Sequence, residues 1–296
     1  MKRRTDLALE SRELYQEDNQ REPEGVDWQE EQEGNLLLTR VYVRNQQGAA
    51  ALEKPVGAYI TADLGPDWDR DFQGMEQAAA VVARELAALL PPDPACVLAV
   101  GLGNRRITAD ALGPLAMEKI IVTRHLKDAM PEAFENFARV GAVSPGVLGV
   151  TGVETGEIVQ GVCRLIKPDA IIAVDALASR RMNRLCRTVQ LSDSGITPGG
   201  GVGPGRVALD RDSLGAPVIA IGVPMVVDAW TLAMDLCQQA GGSLDSEDCP
   251  VPEGAMIVTP KDIDALTRKS AKLIGYAVNM ALHGGLSVSE IEELLG

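Results

Sequence analysis

The feature that most limits what this chain can become is a repeated alternation. Short aliphatic runs of β-favouring residues are each closed by a small or acidic residue and followed by helical spacing. Residues 97–100 (VLAV) lead into a glycine-containing loop and then a helix from about Asp110. Residues 171–174 (IIAV) end at Asp175, with a helix expected over 180–185. Residues 188–191 end at Ser192-Asp193, and residues 218–221 end at Gly222 before a helix over 226–237. Strand, helix, strand in this order specifies a mostly parallel sheet between two helix layers, a three-layer α/β/α sandwich. The palette agrees. The chain is 46% hydrophobic but only 3% aromatic, so its core is aliphatic, as buried parallel strands require.

Around this centre the pattern is also legible. Residues 1–35 are polar and acidic and read as a mobile or partly helical lead-in. LLLTRVYVRN and PVGAYITADL read as two strands, a hairpin at a sheet edge. Residues 71–90 carry apolar side chains at helical spacing and stop at Pro91-Pro92. Residues 155–166 are helical in pattern. A loop rich in Gly, Ser, Asp and Pro spans 241–254, Thr259-Pro260 opens a long helix, and Ser287 with Glu290 forms a capping box. With 296 residues, one α/β domain accounts for the chain.

Composition excludes several functions. A net charge of −14 repels phosphate backbones, so direct nucleic-acid binding is not expected. No apolar stretch is long enough to span a bilayer, and the N-terminus lacks the apolar segment of a secretory signal, so a cytoplasmic protein is expected. Five cysteines without a C-x-x-C pair read as reduced thiols. Only His125 and His283 are present, which removes most zinc sites and most Ser-His or Cys-His nucleophiles. No metal or cofactor is expected.

In open parallel sheets chemistry collects at the carboxyl ends of strands. Asp110, Asp175 and Asp193 fall there on this reading. Two carboxylates in one site cannot both ionise freely, so a pair supplies a general base and a general acid together. An isolated aspartate at a strand end is more often a helix cap, but Asp175 is flanked by small apolar residues that would raise its pKa. Neither dinucleotide nor P-loop patterns are complete in GLGNRR. Asp193-Ser194-Gly195 imitates the pepsin triplet, yet pepsin-like folds are all-β. Glu154 and Asp228 read as structural partners. The glycine-dense run 198–206, with Gly199, Gly200, Gly201 and Gly203, suits either a surface loop or the backbone lining of a peptide cleft.

Taken together, GLGNRRITADALGP (101–114), TRHL (123–126), PGVLGVTGVET (145–155), PDAIIAVDALASR (168–180), QLSDSGITPGGGVG (190–203) and PVIAIGVPMVVDA (217–229) resemble, in order, the spore germination protease family. The resemblance covers nearly the whole chain. It implies an atypical aspartic endopeptidase of endospore-forming bacteria, acting on small acid-soluble spore proteins in the forespore or spore core. It also implies a fold similar to that of hydrogenase-maturation peptidases. The family's catalytic aspartates match Asp110 and Asp175. Asn104, Asp193 and Glu154 become candidates for supporting roles, and Gly199, Gly200, Gly201 and Gly203 for the substrate cleft. The family is made as a zymogen, and RTDLA (4–8) matches its processing site. The implied propeptide is residues 1–6, very short, cut between Asp6 and Leu7, leaving 7–296 as the peptidase domain. A homotetramer is implied as well. A segment between Asp235 and Met256 is shorter than in the family. Two alternatives remain open: a metal-dependent maturation peptidase on the same scaffold, with His125 delivered in space, or a non-catalytic module that binds spore proteins.

Overall fold

The structure is a computed structural model and describes residues 3–199, 207–242 and 256–296. Its elements, in chain order, begin with α1 (Ala8–Asn19), β1 (Val26–Glu33), β2 (Leu36–Val43), α2 (Gln46–Leu52), β3 (Gly57–Asp63) and α3 (Phe72–Leu89). Then come β4 (Cys96–Gly101), α4 (Leu112–Met117), α5 (Arg124–Ala129), β5 (Arg139–Val143), α6 (Leu148–Thr151), α7 (Thr155–Ile166), β6 (Ala170–Ser179) and β7 (Thr188–Ser192). The chain closes with α8 (Arg211–Leu214), β8 (Val218–Asp228), α9 (Ala229–Gln239), β9 (Ile257–Val258), α10 (Ile263–Leu282) and α11 (Val288–Leu295).

The nine strands of the described residues join one sheet in the order β1-β2-β3-β7-β8-β6-β4-β5, with β9 pairing on β8. Alternate residues of each central strand feed opposite faces, as period-2 geometry requires. Val97, Ala99, Ile172, Val174, Ile219 and Ile221 pack under α3, α4, α10 and α11. Leu98, Val100, Ile171, Ala173 and Val218 pack against Val159 and Cys163 of α7 and Leu214 of α8. At the other end of the sheet, Val41, Val43 and Tyr59 are covered by α1 and α2. Helices therefore lie on both faces, as the three-layer reading expects.

The parallel order holds for the half of the sheet that carries the loops of interest. β4 pairs in parallel with β5 and β6, and β6 with β8. The other half is antiparallel, from β7 on β8 through β3 and β2 to β1. β2 and β3 do pair antiparallel, but α2 sits between them, so they are not a tight hairpin. The described part of the polar lead-in forms α1 and the edge strand β1, whose charged residues suit an exposed edge.

Other boundaries differ for local reasons. β6 does not stop at Asp175; the small residues after it keep pairing with β8 as far as Ser179. The helix expected over 180–185 is a single 3₁₀ turn, Met182–Arg184. α9 starts at Ala229 because the Asp228 carboxylate caps it, accepting from the Thr231 N–H at 2.8 Å. α10 starts at Ile263, after an Asp262 N-cap rather than Thr259. The Ser287–Glu290 capping box of α11 is formed. Of the expected loop at 241–254, residues from 243 onward lie outside the described residues. Cys96, Cys163, Cys186 and Cys237 are free thiols, the first three buried.

Candidate active site

The site begins where β4 ends. Its pairing with β6 stops at Gly101 and Val174, and the Leu102 N–H still donates to the Val174 carbonyl at 2.8 Å. Gly103 then turns the chain at φ +106°, and a Cβ there would stand 2.1 Å from the Asp110 carbonyl oxygen. Only glycine meets both demands. Two backbone bonds fold the loop back, Ile107 N–H to Asn104 (3.0 Å) and Asp110 N–H to Ile107 (2.8 Å). The following helix docks closely because Gly113 lacks a side chain; a Cβ on it would meet the Leu102 carbonyl oxygen at 2.3 Å. Asp110 is thus held at the sheet edge by its own main chain. One carboxylate oxygen accepts the Asn104 backbone N–H at 2.8 Å. Asn104 touches Asp110 through its backbone alone; its side-chain oxygen accepts from the Arg106 N–H.

Asp175 is the first residue of β6 beyond the reach of β4 and pairs with Gly222 of β8. It is buried, 8% exposed, and its carboxylate accepts the neighbouring Ala176 N–H at 2.9 Å. Burial pushes its pKa up to about 8, with the negative charges of Asp110 and Asp6 adding to the rise against the Ala176 hydrogen bond. Burial also raises Asp110, opposed by the Asn104 N–H. The two aspartates share one cleft of about 900 Å³.

The other expected residues divide. Glu154 and Gly199 line the same cleft. Gly200, Gly201 and Gly203 lie outside the described residues. Asp193 does not join the aspartates. Its neighbours Ser192 and Ser194 line the cleft, but Asp193, alternating with them at the end of β7, does not. Asp193 is exposed and its carboxylate accepts the Ala58 N–H at 2.7 Å, tying β7 to β3. His125 is exposed on α5, and His283 is buried with Nε2 on the Ile121 carbonyl; neither lines the cleft.

The N-terminal segment enters the cleft, and this was the part least visible in the sequence. Arg4 and Asp6 both line it. The Asp6 N–H donates to the Ala178 carbonyl (2.8 Å) while its carboxylate accepts the Ala178 N–H (2.7 Å). Lys54 Nζ donates to the Thr5 carbonyl at 3.3 Å. Leu7, the first residue after the expected cut, is fully buried. Thr5 does bond the Leu7 N–H at 3.1 Å, yet α1 has no side-chain N-cap, so the segment is shaped by the cleft and not by helix capping alone. Lys54 and Gln190 were missed as site residues; each is one polar residue in an ordinary local pattern.

An α/β sandwich with an acidic cleft that holds a length of peptide is suited to peptide chemistry, and known proteins agree. The germination protease family matches residues 4–240. A germination protease of Clostridium tetani is 42% identical over 320 aligned positions, covering 99% of both chains. One from Caldanaerobacter subterraneus subsp. tengcongensis is 44% identical, covering 99% of this chain and 98% of its own. One from Priestia megaterium is 43% identical across 78% of this chain and 65% of its own. Among solved structures, a [NiFe] hydrogenase maturation protease, HycI from Thermococcus kodakarensis KOD1, aligns at 18% identity. That alignment covers 66% of this chain and 98% of that one, with a TM-score of 0.36. The family match and the curated relatives define a peptidase. The chain belongs to the germination protease family.

Proposed function

We propose that this protease is an aspartic-type endopeptidase whose Asp110 and Asp175 share a proton and activate one water. The reading is carried by one observation: a buried Asp175 lies in a common cleft with Asp110 and with Asp6 of the chain's own N-terminal segment. Ionised Asp110 takes a proton from water as the water oxygen attacks the carbonyl carbon. Asp175 gives its proton to the carbonyl oxygen, forming a neutral tetrahedral diol. On collapse the C–N bond breaks, Asp110 passes its proton to the leaving nitrogen, and a diol hydroxyl returns one to Asp175. Both carboxyls end as they began.

The substrates in this reading are small acid-soluble spore proteins, cut during germination in the spore core. The chain is a zymogen that removes residues 1–6 by cutting between Asp6 and Leu7, and it works as a homotetramer. The resemblance supports the substrate and the assembly; the seating of Asp6 in the cleft supports the processing site. Intact-mass spectrometry of wild type and D175N, each incubated with a small acid-soluble spore protein in excess chelator, tests the proposal. Cutting after an acid and loss of residues 1–6 by wild type alone is the expected result. Cutting that stops with chelator and returns with added metal overturns it, as does an active D175N.

A further inference from the structure

We infer that Gln190 grips the peptide at the bond to be cut, donating from its side-chain amide to the carbonyl oxygen on the acyl side. The inference rests on the proposed cut between Asp6 and Leu7. Gln190 lies on β7 between the fully buried Val189 and Leu191 and is itself 7% exposed. A buried primary amide must satisfy both its oxygen and its nitrogen. Here both partners come from the N-terminal segment. Nε2 donates to the Asp6 carbonyl oxygen at 3.2 Å, and Oε1 accepts the Ala8 N–H at 2.8 Å. These contacts straddle the Asp6–Leu7 bond.

The sheet places this amide opposite the aspartates. Asp175 of β6 registers with Gly222 of β8, and Gly222 registers with Gln190 of β7. Residues in register project to one face, so Gln190 and Asp175 flank a strip about two strand spacings, roughly 10 Å, wide. Gly222 between them adds no side chain of its own, and the Leu177 side chain lies over it; a Cβ on Gly222 would stand 2.4 Å from Leu177 Cγ. Asp6, Gln190, Leu177 and Asp175 all line the one cleft, so the N-terminal segment held by Gln190 lies beside the aspartate.

The chemistry follows from the donor. An amide N–H adds no charge that would unbalance a proton-sharing pair. It transfers no proton; it strengthens its hydrogen bond as the carbonyl oxygen gains electron density during attack. Both contacts are to main chain, so the grip is independent of sequence. Selection falls instead to the Ala178 N–H, which holds the Asp6 carboxylate at 2.7 Å and so favours peptides with an acid before the cut.

The test compares Q190M, Q190E and D175N with wild type, measuring kcat and KM on a small acid-soluble spore protein and self-cleavage by intact mass. Expected for Q190M and Q190E is a fall in kcat of about 100- to 1,000-fold, the range for loss of one oxyanion donor, well beyond any change in KM. A Q190M protein with wild-type kcat beside an inert D175N overturns the role of Gln190 and leaves the aspartate pair standing. An active D175N overturns both. Amide exchange in the uncut D175N background gives a second reading that needs no turnover. Adding Q190M should speed exchange at Ala8 at least tenfold with the rest of α1 unchanged, whereas Q190E, which keeps the acceptor, should preserve it. Unchanged Ala8 exchange in Q190M overturns the inference.

Discussion

Replacing Asp175 by Asn removes a buried carboxyl that binds its proton far more tightly in the folded chain than in the unfolded one. The folded pKa is about 8 against an ordinary 3.8. Between those values the native state holds a proton that the unfolded state has released. Stability from this group is therefore complete below about pH 4 and falls as pH rises toward 8. The loss is 1.36 kcal/mol per pH unit for one proton, or about 3 kcal/mol between pH 5 and pH 7. Urea unfolding of wild type and D175N at both pH values measures it, with intact mass verifying that each chain keeps its N-terminus. Wild type should lose about 3 kcal/mol more than D175N over that interval. Asp110 remains in both proteins, and its own raised pKa largely cancels in the comparison. An equal loss in the two proteins would mean that Asp175 is ionised at neutral pH, and the assignment of acid and base would collapse with it.

Further outcomes follow from the same geometry. Gly113→Ala places a methyl 2.3 Å from a backbone oxygen that cannot move aside; it should cost about 1–3 kcal/mol and, by shifting Asp110, about a hundredfold in kcat, read by calorimetry and turnover. Asn104→Ala should leave turnover within a few-fold of wild type, since the main chain holds Asp110; a hundredfold loss would show that the side chain matters. Asp235→Ala strips the carboxylate that Arg180 Nε grips at 2.7 Å, leaving that buried guanidinium with Glu17 alone; a loss of about 3 kcal/mol is expected by urea unfolding. Asp193→Ala should cost about 1 kcal/mol for the Ala58 hydrogen bond and spare turnover, because Asp193 lies outside the cleft.

Local chemistry made much of this legible. Aliphatic runs announced β4, β6 and β8, helical spacing announced α3 and α7, and Ser287 with Glu290 announced α11, because each signal is carried by neighbouring residues. Asp110 and Asp175 stood out for the same reason, each directly following or ending features that place acids at strand ends. What sequence could not assign was direction and company. Nothing local to residues 188–192 says whether that strand runs with or against β8, or that Asp193 turns to the Ala58 N–H of β3 while Ser192 and Ser194 line the cleft. The small residues after Asp175 are equally at home in a turn; only the partner strand β8 keeps them extended. The sequence by itself determined an aliphatic α/β core and three aspartates expected at strand ends, of which the family resemblance singles out Asp110 and Asp175, because periodicity, glycine turns and motifs are local. Tertiary structure alone decided that Asp6, Gln190 and Asp175, far apart along the chain, meet in one cleft, because strand register and burial are properties of the assembled sheet.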